Sequence, residues 1–182
     1  MRIIAGKFKG KLLTEFTLNS TRPTADMVRE ALFDKISLIA DDAIFLDLFA
    51  GTGAIGIEAL SRGAKYCFFV DESNEAIKII NQNLASINAK NYAIKNCDYK
   101  KALINFKNEN ISFDLIFLDP PYATNYAEIA LEFIKNNNLL KENGLVIWEH
   151  DSTKLDYIKL YFNAAQTKKY GKKYLTYIKF DI

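Results

Sequence analysis

The 182-residue sequence predicts an α/β fold in which helices cover both faces of a doubly wound, mostly parallel sheet. Short, apolar, β-prone runs alternate with longer amphipathic segments from Ile44 onward. A glycine-rich turn joins the first run to its helix, and acidic residues follow several of the runs. Repeated strand–helix units need crossover connections, and such connections produce parallel strands with helices on both faces.

Composition and length agree with one soluble domain. The chain is 49% hydrophobic and 25% charged, which argues against disorder. It lacks both an apolar run near the ~18 residues of a membrane span and a signal-peptide pattern, so we expect a cytoplasmic protein. Cys67 and Cys97 are isolated and are expected to be buried free thiols. His150 is the sole histidine and is expected to be structural, and no metal site is predicted.

The first 40 residues are predicted to form a small basic extension of the same domain, whose core spans residues 41–182. Residues 2–13 indicate a hairpin that turns at Gly6 and Gly10. A helix is expected to begin just after Pro23, with Thr24 as its cap. Apolar residues at helical spacing mark the buried face of that helix: Val28, Ala31, Leu32, Ile36 and Ile39.

The core is predicted to contain five strands, each a short apolar or aromatic run: Ile44–Phe49, Tyr66–Val70, Tyr92–Asn96, Phe113–Leu118 and Gly144–Glu149. Five amphipathic segments predict the helices that follow them: Ala54–Arg62, Asn74–Ile87, Tyr99–Phe106, Asn125–Lys135 and Thr153–Leu160. The tail differs, because Ala164–Tyr170 and Lys173–Phe180 flank Gly171-Lys172 and indicate an antiparallel hairpin.

The turn after the first strand matches G-x-G-x-x-G in a strand–turn–helix context, at Gly51, Gly53 and Gly56. That pattern first suggests a dinucleotide, but Asp47 precedes it and would repel a pyrophosphate. A sulfonium and an ammonium would instead be attracted, which favours S-adenosylmethionine. The predicted cofactor-binding residues of this segment are Asp47, Phe49, Ala50, Gly51, Thr52, Gly53 and Gly56.

Three further acids lie at the ends of the next two strands. Asp71 ends the second strand, 20 residues after Gly51, where a carboxylate can accept bonds from both ribose hydroxyls. Glu72 is expected to line the same pocket, and Asp98, after the third strand, to meet the adenine amino group. Any one of them alone could be a solvated loop residue. Together with the glycine loop, they favour a nucleoside ligand.

The most specific segment is Asp119-Pro120-Pro121-Tyr122, directly after the apolar run Leu115–Leu118. The prolines lack N–H groups and fix their φ angles, so the chain leaves the sheet as a stiff loop with free carbonyls. Asp119 and the Pro120 carbonyl could accept both N–H bonds of an amine on a flat ring, which Tyr122 would cover. These four residues, including Pro121, are the predicted catalytic residues.

These motifs together resemble class I S-adenosylmethionine-dependent methyltransferases. More specifically, the chain is similar to the bacterial family that methylates the N2 amine of one guanine in small-subunit (16S) ribosomal RNA. The segments that carry this resemblance are Arg2–Gly6, Thr21–Phe33, Leu46–Gly63 and Phe117–Tyr122. The glycine loop and D-P-P-Y are shared by many amino-group methyltransferases, whereas the Thr21–Phe33 stretch is specific to the family.

The resemblance implies a seven-stranded sheet whose last strand is antiparallel, and a substrate RNA in an assembling or assembled small subunit (30S particle). Residues 1–11 and 168–180 carry basic residues and no acid, which fits either two solvated basic ends or two arms of a phosphate-facing surface. The residues predicted to contact RNA are Arg2, Lys7, Lys9, Arg22 and Arg29. Arg29 has an alternative, an ion pair with Asp26 at i,i+3 spacing. We expect a monomer.

Other functions fit part of the sequence. A dehydrogenase would explain the glycine loop but neither Asp47 nor D-P-P-Y. Protein-glutamine methyltransferases carry N-P-P-Y instead. DNA adenine or cytosine methyltransferases share the tetrapeptide but usually have a separate target-reading segment, for which the chain leaves little room after Tyr122. A non-catalytic RNA-binding scaffold is disfavoured by the intact Asp119.

Overall fold

The structure, a computed structural model, describes residues 1–16, 22–162 and 165–180, with the backbone alone for residues 22–25. The strands are β1 (Ile44–Asp47), β2 (Tyr66–Asp71), β3 (Tyr92–Asn96), β4 (Phe113–Leu118), β5 (Leu140–His150), β6 (Gln166–Tyr170) and β7 (Lys173–Ile178). The helices are α1 (Arg22–Ala40), α2 (Ala54–Ser61), α3 (Asn74–Ser86), α4 (Tyr99–Asn108), α5 (Tyr126–Asn136) and α6 (Leu155–Tyr161), the last preceded by a 3₁₀ turn at Ser152–Lys154.

These strands form one mixed seven-stranded sheet in the order β3-β2-β1-β4-β5-β7-β6. The first five strands are parallel, and β7 is antiparallel to both β5 and β6. The predicted fold and tail hairpin are therefore confirmed, although Ala164 lies outside the described residues. Strand order reverses between β1 and β4, so their carboxyl ends flank a crevice of the kind in which α/β proteins bind ligands.

Alternation along the strands separates two hydrophobic layers. Phe45, Phe69 and Phe117 pack with α1, α2 and α3 on one face. Leu46, Val70 and Leu118 pack with α4, α5 and α6 on the other. Because side chains at every second strand position share a face, the polar residues that follow each strand keep the same alternation.

The N-terminal segment is part of the first layer. It forms a turn structure with one antiparallel bridge, between Arg2 and Leu12, and both Gly6 and Gly10 adopt positive φ, as predicted for turn residues. The buried Glu58 of α2 accepts the backbone N–H groups of Ile4 and Ala5 at 2.9 and 3.0 Å. This carboxylate therefore ties the N-terminal segment to the helix that follows the glycine loop.

Two element boundaries differ clearly from those predicted. Helix α1 begins at Arg22, before the expected Thr24 cap, because Pro23 is tolerated in a first turn whose N–H groups lack helical acceptors. Strand β5 begins at Leu140 rather than at Gly144. The polar residues at positions 141–143 do not form an apolar run, so the sequence pattern does not predict this part of the strand. The ammonium of Lys141 lies 2.7 Å from the Asp114 carboxylate of β4 and helps to hold the beginning of β5 in the sheet.

Within the described ranges, no helix combines the length and the apolar character needed to cross a membrane.

Candidate active site

Two cavities adjoin the carboxyl ends of β1 and β4. The larger, about 490 Å³, is lined by Asp71, Glu72, Tyr99, Tyr126 and the whole D-P-P-Y segment, among others. The smaller, about 200 Å³, lies over the α1 side of the sheet edge and is lined by residues that include Arg29, Asp47, Glu149 and Lys173. Phe49, Gly51 and Asp119 border both cavities. Asp119 therefore stands where the two spaces meet.

The glycine loop approaches the larger cavity with its backbone. Gly51 and Gly53 have positive φ angles of 54° and 76°, which favour glycine. The Gly51 N–H donates to Asp71 Oδ2 at 2.8 Å, and Ser73 N–H donates to Asp71 Oδ1 at 2.9 Å. The predicted ribose acid is thus fixed by two backbone donors at the cavity wall, with Glu72 exposed beside it.

Gly56, which was predicted to bind cofactor, does not line either cavity. A Cβ atom there would lie 2.3 Å from Phe69 Cε1 and 2.7 Å from Cys67 Sγ. The glycine is thus required for α2 to pack closely against β2. Gly53 is likewise buried behind the loop, whereas Ala50 and Thr52 line the smaller cavity. Within the glycine pattern, Gly56 thus serves helix packing, whereas Gly51 lets the backbone approach a ligand.

Asp47 is buried at the end of β1 and accepts the Gly56 N–H at 3.0 Å. Burial raises the pKa of its carboxyl group to about 7, and the nearby Asp71 adds to the rise. A buried carboxyl group with one backbone donor is stabilised by a cation or a donor-rich ligand in the adjoining cavity. The sequence predicts Asp47 to attract the positive centres of a ligand, and its burial at this cavity is compatible with that role.

Asp98 is exposed and caps α4, where it accepts the Lys100 N–H at 2.8 Å. Its neighbours Cys97 and Tyr99 line the larger cavity, whereas Asp98 does not. Its role as an adenine ligand stays a prediction, and the helix cap explains its presence without a ligand. Phe49, Tyr99 and Tyr126 form an aromatic cluster on the same wall, with ring centroids 5.1–6.5 Å apart.

Asp119 follows β4 directly and, like Asp47, carries a perturbed carboxyl group. Burial raises its pKa well above the ordinary range, and the nearby Glu149 carboxylate adds to the rise, while Lys173 opposes it. Leu118 of β4 is in register with Trp148 of β5, so Asp119 and Glu149 are the next pair of neighbours at the sheet edge. Pro120 is buried, while Pro121 and Tyr122 form the exposed rim.

Glu149 and Lys173 are functional candidates that sequence analysis missed. Glu149 is 5% exposed, and its Oε1 atom accepts hydrogen bonds from both the Tyr122 hydroxyl, at 3.1 Å, and the Lys173 ammonium. Both residues face the smaller cavity beside Asp119. The available signal was that Glu149, like Asp47 and Asp71, is an acid at the carboxyl end of a predicted strand.

The predicted RNA-contacting residues separate into two groups. Arg2, Lys7 and Lys9 are exposed on the N-terminal segment, and the Arg22 side chain lies outside the described residues. Arg29 does not fit a surface contact, because only 2% of it is exposed. Its guanidinium lies 3.0 Å from Asp26 and 3.7 Å from Glu58 and donates to the Arg2 carbonyl. The alternative ion pair with Asp26 is therefore correct.

His150 and the cysteines behave as structural residues. Both nitrogens of the buried imidazole lie 2.7 Å from oxygen partners, the Asp151 carbonyl and the Thr176 hydroxyl. Burial lowers the pKa of this imidazole. Cys67 is buried, as expected, whereas Cys97 is only half-buried, and both are free thiols.

The comparisons with known proteins identify the family. A family model described as "Conserved hypothetical protein 95" matches residues 1–179. The chain belongs to this family. It is 40% identical over 152 residues to the Bacillus subtilis protein YlbH, with 83% of each chain covered. It is 34% identical over 159 residues to "Ribosomal RNA small subunit methyltransferase D" of Haemophilus influenzae, with 85% of this chain and 80% of that protein covered.

Solved structures show the same architecture. The Escherichia coli protein yhhF is 28% identical, with 98% of this chain and 97% of that chain covered and a TM-score of 0.83. The Thermus thermophilus 16S rRNA N2 G1207 methyltransferase RsmC, solved with AdoMet and guanosine, is 21% identical, with 91% of this chain and 45% of that chain covered and a TM-score of 0.71. The fold is that of class I methyltransferases.

Proposed function

We propose that this protein transfers the methyl group of S-adenosylmethionine to the N2 amine of a guanine in small-subunit ribosomal RNA. One observation carries the proposal: Asp119, at the start of D-P-P-Y, stands where a cofactor-sized cavity meets a second cavity at the sheet edge. The small-subunit rRNA methyltransferase named among the relatives supports the choice of substrate.

The larger cavity fits the proposed cofactor. Its volume of about 490 Å³ lies in the usual range for small-molecule sites. Asp71, held by two backbone N–H groups, keeps unused lone pairs for ribose hydroxyls, and the aromatic wall of Phe49, Tyr99 and Tyr126 suits a purine. When bound, S-adenosylmethionine supplies an electrophilic methyl group on a positively charged sulfur.

The D-P-P-Y residues prepare the amine. An exocyclic amine is a poor nucleophile, because its lone pair is delocalised into the ring. Asp119 and the Pro120 carbonyl accept its two N–H bonds and favour a pyramidal nitrogen whose lone pair can attack. As the bond from nitrogen to the methyl group forms and the methyl–sulfur bond breaks, Asp119 would stabilise the positive charge that passes to the nitrogen, and Asp119 or water would then take the surplus N–H proton. Tyr122 is 39% exposed at the rim, where its ring can stack on an unpaired base.

The further features of the function are proposed on the same basis. The substrate is the 30S particle or its RNA during assembly, and the enzyme acts as a cytoplasmic monomer. Arg2, Lys7 and Lys9 contact phosphates, since their side chains are exposed on a segment that Glu58 anchors to the glycine-loop helix. Methylation of a DNA base or of a protein glutamine is the alternative, because the amine chemistry would be the same.

The test uses purified full-length protein and S-adenosylmethionine with a labelled methyl group. Hypomethylated 30S particles, naked small-subunit RNA, duplex DNA and a protein extract serve as separate substrates. We expect label in the RNA of the first or second sample, at one guanine that nuclease mapping identifies as N2-methylguanine. Label confined to DNA or protein would overturn the substrate, and label at a ring carbon would overturn the mechanism.

A further inference from the structure

The ionic cluster beside Asp119 is not used by the amine chemistry described above. It consists of Glu149, at the carboxyl end of β5, and Lys173, at the start of β7. These strands follow β4 in the order of the sheet, so Asp119, Glu149 and Lys173 lie on three successive strands. All three border the smaller cavity.

The three side chains share one face of the sheet. Phe117, Ile147 and Leu175, each two positions away along its strand, all belong to the layer packed against α1. By alternation, Asp119, Glu149 and Lys173 continue that face at the edge. From β4 to β7, the edge thus presents an acceptor, a second acceptor and a donor.

Guanine presents the complementary series. Its Watson–Crick edge carries the N2 amine, then N1–H, then the O6 acceptor, which is donor, donor, acceptor. Adenine and cytosine have a ring-nitrogen acceptor next to their amines. Among amine-bearing bases, guanine alone offers a second donor next to the amine.

We propose that Glu149 and Lys173 select guanine, with Glu149 accepting N1–H and Lys173 donating to O6 while Asp119 accepts N2–H. The inference rests on the proposed function and names how the site recognises its base. Glu149 and Lys173 are in contact with each other, so together they match the adjacent N1–H and O6 groups.

Charge and burial support the assignment. Glu149 is buried, and both of its donors among the described residues, the Tyr122 hydroxyl and the Lys173 ammonium, bond to Oε1, which leaves Oε2 open to a ligand. Asp119 accepts no hydrogen bond within the described part of the chain. Two neighbouring carboxyl groups, one without a donor and the other with one oxygen unbonded, are stabilised by a ligand that supplies N–H groups. Guanine supplies two side by side.

A purely structural ion pair is the alternative, in which Glu149 only fixes Tyr122 through its hydroxyl. The experiment therefore measures selectivity rather than activity alone. It uses 30S particles reconstituted from RNA with guanine or 2,6-diaminopurine at the mapped nucleotide. Diaminopurine keeps the C2 amine but has an acceptor at N1 and a donor at C6. Its N1 would therefore face the acceptor Glu149, and its C6 amine would face the donor Lys173.

We expect the wild-type protein to prefer guanine over diaminopurine in kcat/KM by ~10²-fold or more, as sites built on buried hydrogen bonds do. The Glu149→Gln variant can donate an amide N–H to N1, so this ratio should fall by ~10-fold or more. Tyr122→Phe should leave the ratio unchanged, because it removes only the hydroxyl bond to Glu149. Glu109→Gln, which removes an exposed carboxylate paired with Lys95 and lining neither cavity, is the matched control.

An unchanged ratio in Glu149→Gln, or equal methylation of both bases by the wild-type protein, would overturn the selection role. A ratio that falls equally in Tyr122→Phe would assign the effect to Tyr122 placement and also overturn it. Failure of the proposed function has a different signature, namely no label in guanine-containing particles with the wild-type protein, and the selection role would fall with it.

Discussion

The acids along the sheet edge are held differently on the β1–β3 side and on the β4–β7 side. On the β1–β3 side, Asp47, Asp71 and Asp98 each accept at least one backbone N–H. Asp47 accepts the N–H of Gly56, and Asp98 accepts that of Lys100. Asp71 accepts two, from Gly51 and Ser73. Asp119 and Glu149 have no backbone donor within the described chain, and Glu149 is bonded only to the side chains of Tyr122 and Lys173.

This difference indicates two kinds of site. Backbone donors are fixed by the fold, so the acids of the β1–β3 side are oriented before a ligand binds, which lowers the entropy cost of binding. Side-chain partners can rotate and exchange. The β4–β7 side therefore keeps its carboxyl groups available for the N–H groups of a substrate.

The largest expected effect is on the β4–β7 side. Asp119→Ala removes the carboxyl group that stabilises the charge developing on the amine nitrogen, so single-turnover methyl transfer should fall by ~10²–10³-fold. Calorimetric affinity for S-adenosylmethionine should change little, because the β1–β3 side is intact. Quenched-flow measurement of labelled RNA tests this. Near-normal turnover in a folded Asp119→Ala protein would exclude the proposed amine chemistry.

The next effect is a pH dependence of stability caused by Asp47. Its folded-state pKa is raised to about 7 from an ordinary 3.8, so the folded protein keeps a proton that the unfolded chain releases near pH 4. Stability due to this group is therefore fully present below pH 4 and is lost as pH rises through 7. Asp47→Asn removes this dependence and keeps an oxygen for Gly56 N–H.

The free energy of unfolding of Asp47→Asn minus that of the wild-type protein should increase by about 2–3 kcal/mol as the pH rises from 5 to 8. Urea unfolding at several pH values measures the difference. A difference that does not vary with pH would show that Asp47 titrates normally in the folded protein. Asp34→Asn, at an exposed acid of α1, provides the comparison.

A smaller effect is expected at the ribose acid. Asp71→Ala should weaken S-adenosylmethionine binding by ~10-fold, since it removes hydroxyl acceptors and frees the Gly51 N–H from its partner. Methyl transfer at saturating cofactor should be nearly normal. Isothermal calorimetry and single-turnover rates separate the two quantities. Glu75→Ala, at an exposed acid in the first turn of α3, controls for the loss of charge. Unaltered affinity in a folded Asp71→Ala protein would remove the ribose assignment.

The smallest effects concern the exposed N-terminal cations. Arg2→Ala, Lys7→Ala and Lys9→Ala should each lower the slope of log K against log salt for RNA binding by ~0.7–0.9. S-adenosylmethionine affinity should stay constant. Lys107→Ala, at an exposed lysine on α4 on the opposite face of the sheet, should not alter the slope. If all three slopes equal that of the wild-type protein, the N-terminal segment does not contact RNA.

The sequence by itself determined the parts of this protein that depend on local order. The periods of apolar residues predict the layered arrangement of strands and helices. The glycines predict the loop after β1, and the prolines after Asp119 predict the stiff rim that follows β4. Each of these follows from what neighbouring residues can do with their own backbone, so it can be predicted without knowledge of distant contacts.

Only the tertiary structure decided which charges meet. Arg29 could have been a surface cation, and it is buried because Glu58 and Asp26 lie beside it. Lys173 belongs by sequence to a basic tail, but the antiparallel pairing of β7 with β5 brings it to Glu149 and the cavity beside Asp119. Contacts of this kind depend on the order and direction of strands that are distant in the chain, and residue spacing does not encode that order.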